Sequence, residues 1–215
     1  MNAMERETKR KVIHIAMGFL ALLLAIFPRW LAIIFVSAAL FFVLVIARPF
    51  VWTRGFEAMA SRKVDQDSGL LHGPFLYVLM VLILVIFVDL RIAGTVFSIM
   101  AFGDGFANII GSRYGHKIEK LDNKSIEGFI AFIFFAFLSG TIAFLLISNN
   151  QYQNITPWLE FLKIPEDIDQ IYVIFCCFFV SLIAAMIELL TGHLVNDNIS
   201  VPVISGTLLT IFFML

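Results

Sequence analysis

"LHGPFLYVLMVLILVIFVDLRIAGTVFSIMAFGDGFANIIG", residues 71–111, decides the fold. Its two apolar runs, 71–88 and 92–111, are separated only by Asp89, Leu90 and Arg91. An apolar helix needs about 20 residues to cross the hydrocarbon of a bilayer, with about 17 as a minimum. Each run therefore reads as a membrane span, and the three residues between them predict a tight hairpin. The second run is the less hydrophobic and carries Asp104 between Gly103 and Gly105. An ionised Asp at that depth costs roughly 2.5–3.5 kcal/mol, so it needs a partner or a water-filled cavity, and the default reading is a functional site.

Five further runs of the same kind flank this hairpin, at 12–28, 30–47, 126–148, 169–190 and 199–215. The composition agrees: of 215 residues 60% are hydrophobic, 24 are Phe and only 14% are charged, far from the usual soluble balance. The expectation is an all-α polytopic membrane helix bundle of about seven transmembrane helices, forming a single domain over 1–215. No repeat or low-complexity tract suggests a second domain. The adjacent Cys176 and Cys177 lie in an apolar run and read as small core residues. No small-residue cleavage site follows the first run, so no removable signal peptide is expected. The long connection 48–70 mixes Arg, Trp, Phe and Met at loose helical spacing and predicts an interfacial amphipathic helix.

The basic residues fix an expected orientation, because retained loops are rich in Lys and Arg. Arg6, Lys9, Arg10 and Lys11 precede the first span, and Arg29 stands alone in the next loop. Arg48, Arg54, Arg62 and Lys63 follow, then Arg91 alone, then Arg113, Lys117, Lys120 and Lys124, and finally Lys163. This alternation of four and one accounts for all 15 basic residues. It predicts a cytoplasmic N-terminus.

On that topology the unusual polar residues collect on the cytoplasmic side. Arg10 and His14 share a helix face, with Lys11 beside them. Asp104 lies about 10 Å before the cytoplasmic end of its span, at 1.5 Å per residue, and Asn108, Gly111 and Gly115 follow on an adjacent face. Gly103, Ala107 and Gly111 form a small-residue stripe suited to close helix packing. The loop "SRYGHKIEKLDNKSIEG" brings Lys117, Lys120, Lys124, Ser125 and Glu127. Ser125 is a plausible helix cap, and a helix N-terminus with a lysine beside it attracts phosphate. "IELLTGHLVNDNISVP" adds Glu188, His193, Asp197 and Asn198, with Asn198 placed to cap the last helix and Pro202 near its first turn. Basic groups for a polyphosphate, carboxylates for magnesium and one carboxylate to take a hydroxyl proton are what phosphoryl transfer needs. There is no Walker A loop, dinucleotide fingerprint or zinc-type His and Cys grouping. No nucleic-acid partner is expected.

Taken in order, "RKVIH" with Gly18, "FGDGFANIIGSRYG", "NKSIEG" and "DNISVP" resemble motifs of the dolichol kinase and phytol kinase family, membrane enzymes that phosphorylate lipid alcohols. The resemblance implies a CTP-dependent, magnesium-requiring kinase acting at the cytoplasmic side on an isoprenoid alcohol of the dolichol, phytol or geranylgeraniol type. Asp104, Glu127 and Lys124 would then be catalytic. Asp104, Glu127 and Glu188 would serve as metal ligands. Lys11, His14, Gly103, Asn108, Gly111, Gly115, Lys117, Lys120, Ser125, Asp197 and Asn198 would surround the nucleotide and its phosphates. The related lipid cytidylyltransferases are the enzyme alternative, but their closing Lys-Asp and Pro-Gly-His-Gly-Gly pattern is missing after Glu188. A transporter using Asp104 and Glu188 is the alternative of another class, and the clustering of charges near one face weighs against it.

Overall fold

A computed structural model describes residues 12–60, 63–118, 124–150, 164–191 and 196–214. Among these, every stretch expected to span forms an apolar helix. They are α1 (Val12–Ala25), α2 (Arg29–Ile46), α5 (His72–Phe87), α6 (Leu90–Tyr114), α7 (Ile126–Ser148), α8 (Gln170–Thr191) and α9 (Asp197–Met214). Five of them, α2, α6, α7, α8 and α9, are long and apolar enough to cross a membrane, whereas α1 and α5 are shorter. The architecture is a helical membrane bundle.

The connection 48–70 differs from the single amphipathic helix expected there. It holds two short helices, α3 (Thr53–Met59) and α4 (Lys63–Ser68). Gly69 follows α4 with a positive φ of 64°, a conformation open to glycine, and its carbonyl accepts from Arg48 Nη1 at 3.0 Å. Phe56, Ala60 and Leu71 close a small separate core with Ala47, while Phe50, Val51 and Trp52 stay exposed.

The predicted hairpin between α5 and α6 is present. Asp89 caps α6, its side chain accepting from the Arg91 backbone N–H at 2.9 Å. From there α6 runs through the middle of the bundle, against α1, α5, α7 and α9. It is the least hydropathic of the five long helices and the most buried. The two facts have one cause: a helix facing other helices gains from small and polar residues that a lipid-facing helix cannot carry. Midway it loosens into a π-helical turn, Ile99–Gly103, immediately before Asp104. Such turns recur at functional sites.

Arg29 and Arg91, expected as isolated charges in outward loops, are instead buried inside the bundle. Arg91 binds both carboxylate oxygens of Asp89, each at 3.0 Å, and its Nη1 and Nη2 donate to the Pro165 and Ile164 carbonyls at 2.7 and 3.1 Å. Arg29 Nη1 donates to the Val85 and Val88 carbonyls, both at 2.8 Å. Asn150 ties the same end to α1 through the Leu24 and Phe27 carbonyls.

Candidate functional site

The opposite end of the bundle is where the predicted polar residues meet. Two close helix contacts dock α1 onto α6. A β-carbon at Gly18 would stand 2.7 Å from Ala101 Cβ and 2.8 Å from Phe102 Cε2, and Gly105 backs directly onto Ile15. These contacts set the turn of α1 that holds His14 beside the turn of α6 that holds Asp104. The result is an approach of 3.7 Å between His14 Nε2 and Asp104 Oδ2. On its other side the His14 ring packs against Tyr77 of α5, with centroids 4.4 Å apart. The Asp104 carboxylate is close enough for its charge to act on the Tyr77 hydroxyl.

The small-residue stripe docks α6 onto α7. A β-carbon at Gly103 would meet Phe132 at 2.9 Å and Ala136 at 3.1 Å, and one at Gly111 would meet Ser125 Oγ at 2.8 Å and Gly128 Cα at 3.3 Å. Gly128 reciprocates, with the Ala107 carbonyl 2.9 Å from its own missing β-carbon. The glycines beside Asp104 are therefore spaces filled by neighbouring helices, as is Gly115 against Ser125. Ser125 caps α7 as expected, its Oγ accepting from the Gly128 N–H at 3.1 Å. Asn108 lies half-buried on α6.

Just before that cap, two short antiparallel strands, β1 (Lys117–Ile118) and β2 (Lys124–Ser125), pair Lys117 with Ser125 and Ile118 with Lys124. This ribbon is not legible in the sequence, because strands of two residues carry no periodicity. It presents Lys124 to α8, where Lys124 Nζ reaches Glu188 Oε1 at 2.9 Å and also binds the Glu188 carbonyl. Glu188 lies within reach of the charges of both Asp104 and Asp197. Asp197 stands in the first turn of α9, and Asn198 Nδ2 lies 3.9 Å from the missing β-carbon of Gly73 at the start of α5. The cap of α9 is Asn196, not Asn198: Asn196 Oδ1 accepts from the Asn198 N–H at 3.1 Å.

Glu127 points elsewhere. Its carboxylate takes the His116 backbone N–H at 3.0 Å and the ring Nδ1 at 2.6 Å. The hydrogen bond and charge of Glu127 hold the exposed His116 imidazole above its usual pKa. Among the described residues no three His, Cys, Asp or Glu side chains are grouped to hold a metal ion by themselves, so Asp104, Glu127 and Glu188 do not form a ready-made metal triad. Lys11, Lys120 and His193 lie outside the described residues. Two residues of this end escaped sequence reasoning. His116 looked like one more polar loop residue. Tyr77 carried a signal, as the hydroxyl in "FLYVLMVLILVIF" near the start of its span.

His14 from α1, Asp104 from α6, Lys124 ahead of α7, Glu188 from α8 and Asp197 from α9 thus converge on one end of a membrane bundle, defining a polytopic membrane protein with an ionic site at a helix-end cluster. Sequence relatives give that class a family. The chain is 31% identical over 216 residues to a probable phytol kinase 2, chloroplastic, of Glycine max, covering 98% of this chain and 66% of the relative. Over 227 residues it is 29% identical to a probable phytol kinase, chloroplastic, of Zea mays, covering 98% and 67%, and over 224 residues 28% identical to one of Triticum aestivum, covering 98% and 68%. The chain spans about two thirds of the length of these curated relatives. It belongs to the phytol and polyprenol kinase family. No family profile matches it, and no solved structure does.

Proposed function

We propose that this protein is a lipid alcohol kinase, transferring the terminal phosphoryl group of CTP to the hydroxyl of an isoprenoid alcohol in the membrane. The convergence of His14, Asp104, Lys124, Glu188 and Asp197 from five separated helices or their entries carries this reading. The curated relatives support the substrate class, since their names describe them as probable phytol kinases.

Asp104 accepts the proton of the substrate hydroxyl as its oxygen attacks the terminal phosphorus. The new O–P bond forms as the bond from that phosphorus to the bridging oxygen breaks, leaving lipid monophosphate and CDP. His14 orients Asp104 from 3.7 Å. Lys124, held by Glu188, is a mobile-headed cation that can turn to the phosphates. Phosphoryl transfer depends chiefly on such positioning and on neutralising charge. Magnesium takes oxygen donors and uses only one or two carboxylates alongside substrate phosphates. Glu188 and Asp197 would hold it without a triad, leaving Asp104 to take the proton, and bound there it would offset phosphate charge. We place the site end on the cytoplasmic side, a reading that the distribution of the basic residues supports. The burial of Arg29 and Arg91 strengthens that assignment, since neither is a solvated charge at the other end.

The test is product analysis with purified protein in nanodiscs, magnesium and CTP labelled at the terminal phosphate. Labelled lipid phosphate from phytol or geranylgeraniol is expected. Label only in pyrophosphate would make the protein a cytidylyltransferase, and no turnover together with ion flux in vesicles would make it a transporter. Competition by unlabelled ATP, GTP and UTP tests the choice of base.

A further inference from the structure

A cavity of about 240 Å³ lies among α1, α2, α5 and α6. Its floor includes a stripe of α5, Tyr77, Val78, Val81 and Val85, all buried. Its rim includes Leu20, Leu23 and Phe35, which are exposed on the lipid-facing surface of α1 and α2. Every lining side chain is apolar except Tyr77. Tyr77 is 3% exposed, and its hydroxyl has no hydrogen-bond partner among the described residues. A buried hydroxyl left so costs about 1–3 kcal/mol. Its ring packs on His14, which contacts Asp104. One residue thus joins an apolar groove that opens toward the bilayer to the ionic site.

We infer that this groove holds the apolar chain of the substrate alcohol, entering sideways from the bilayer between α1 and α2, with the Tyr77 hydroxyl hydrogen-bonding the alcohol oxygen beside Asp104. The inference rests on the kinase reading for the identity of the alcohol. A straight aqueous route would need polar lining along its length, and the groove has only Tyr77. An anionic headgroup does not suit it either, because no basic side chain lines it. From Tyr77 to Val85 the groove follows α5 for about 12 Å, under half of the roughly 30 Å hydrocarbon thickness. The groove therefore reads only the part of the chain nearest the hydroxyl, and the remainder lies in the bilayer.

The experiment is photolabelling of the full chain in phosphatidylcholine nanodiscs with a C20 isoprenoid alcohol bearing a diazirine midway along its chain. Label is expected in the peptides of α1 and α5, displaced by unlabelled C20 alcohol and not by added phospholipid. Val81→Phe, or Ala39→Leu at the half-buried edge of the groove, fills the space and removes that label while the melting temperature in detergent shows the bundle intact. In turnover assays either variant raises the ratio of KM for the C20 alcohol to KM for a five-carbon alcohol about tenfold, equal to about 1.4 kcal/mol. Tyr77→Phe raises KM for every alcohol without loss of thermal stability, since it deletes a hydroxyl that the fold does not use. Label spread over lipid-facing α8, or displaced equally by phospholipid, overturns the inference, as does an unchanged KM ratio. Groove labelling without phosphoryl transfer from any nucleotide upholds the chain site and removes the kinase reading. Turnover with no groove labelling does the reverse.

Discussion

The two ends of the bundle treat charge in opposite ways. At one end Asp89 and Arg91 share two 3.0 Å bonds with side chains 4% and 3% exposed, and backbone carbonyls take the remaining donors of Arg91. At the other end His14 and Asp104 meet only at 3.7 Å, and Lys124 meets Glu188, with all four side chains 15–22% exposed. A closed pair of the first kind is part of the scaffold. A contact of the second kind leaves its groups accessible, so a ligand can rearrange it at small cost. The comparison teaches that intramembrane charge by itself does not mark a site; charge with access does.

The largest effect expected from breaking this contrast is on turnover. Asp104→Asn should lower kcat by at least about 10³-fold, the order of a lost general base together with its electrostatic role. Removing a charge from the membrane interior leaves insertion and thermal stability unchanged or improved. Measured kcat within tenfold of the unaltered protein would take Asp104 out of the chemistry. At the other end the pattern inverts. Arg91→Met strands Asp89 as a buried unpaired charge and should cost about 3–5 kcal/mol of stability, read as a lower melting temperature in detergent. The activity of the surviving folded fraction should stay within a few-fold. A variant that melts normally but cannot turn over would show that Arg91 belongs to the site, and the division between the ends would fail.

Charge of this second kind explains what the sequence made legible and what it hid. Asp104 was conspicuous because one acid in an apolar run has few structural excuses, and Glu188 stood out for the same reason, whereas Lys124 was marked by its place beside the Ser125 cap. Arg29 was misread as a loop charge because its partners are backbone carbonyls far along the chain, which have no letter in a sequence; Arg91 has Asp89 two residues away, but the Ile164 and Pro165 carbonyls that enclose it are equally unwritten. The hairpin at Asp89 was readable since three residues allow nothing else. The split of 48–70 into α3 and α4 was not, because short amphipathic segments have too few turns to fix a period. The runs marked by hydropathy became helices, but α1 and α5 came out shorter than the expected spans and α6 longer, since burial against protein relaxes its need for apolar residues. The small-residue stripe through Gly103 was legible as a place for close helix packing, and Phe132 and Ala136 are what packs there. Spacing shows that a small residue is wanted, and only packing shows by what.

Lys124 offers a finer test of accessibility. Its ammonium is held by Glu188 at 2.9 Å, and in the proposed reaction it turns toward the phosphates. Lys124→Met should raise KM for the nucleotide about tenfold or more, in line with one charge-assisted hydrogen bond, with a smaller change in KM for the alcohol. Glu188→Gln separates the two roles of the pair: it frees the lysine while removing a carboxylate. Equal rises in both KM values for Lys124→Met would indicate a general loosening of the β1–β2 ribbon instead.

The smallest expected effect concerns the exposed pair His116 and Glu127, which has access but no burial. The imidazole is held above its ordinary value of 6.5, first by the hydrogen bond it donates to Glu127 and then by the Glu127 charge. A group whose pKa is raised by folding stabilises fully below its unfolded pKa, and that contribution disappears as pH rises through the folded value. The tether between β1 and α7 should accordingly hold from pH 6.5 down to the acid range in which Glu127 takes a proton, and release as pH rises above the raised imidazole pKa. A ¹H–¹⁵N titration of the His116 ring checks this, with Glu127→Gln returning the midpoint toward 6.5. Because both side chains are solvent-accessible, the melting temperature should scarcely follow. A large pH-dependent change in melting lost in Glu127→Gln would mean that the pair is shielded in the membrane-bound protein, and that the accessible end of the bundle is tighter than its side-chain exposures indicate.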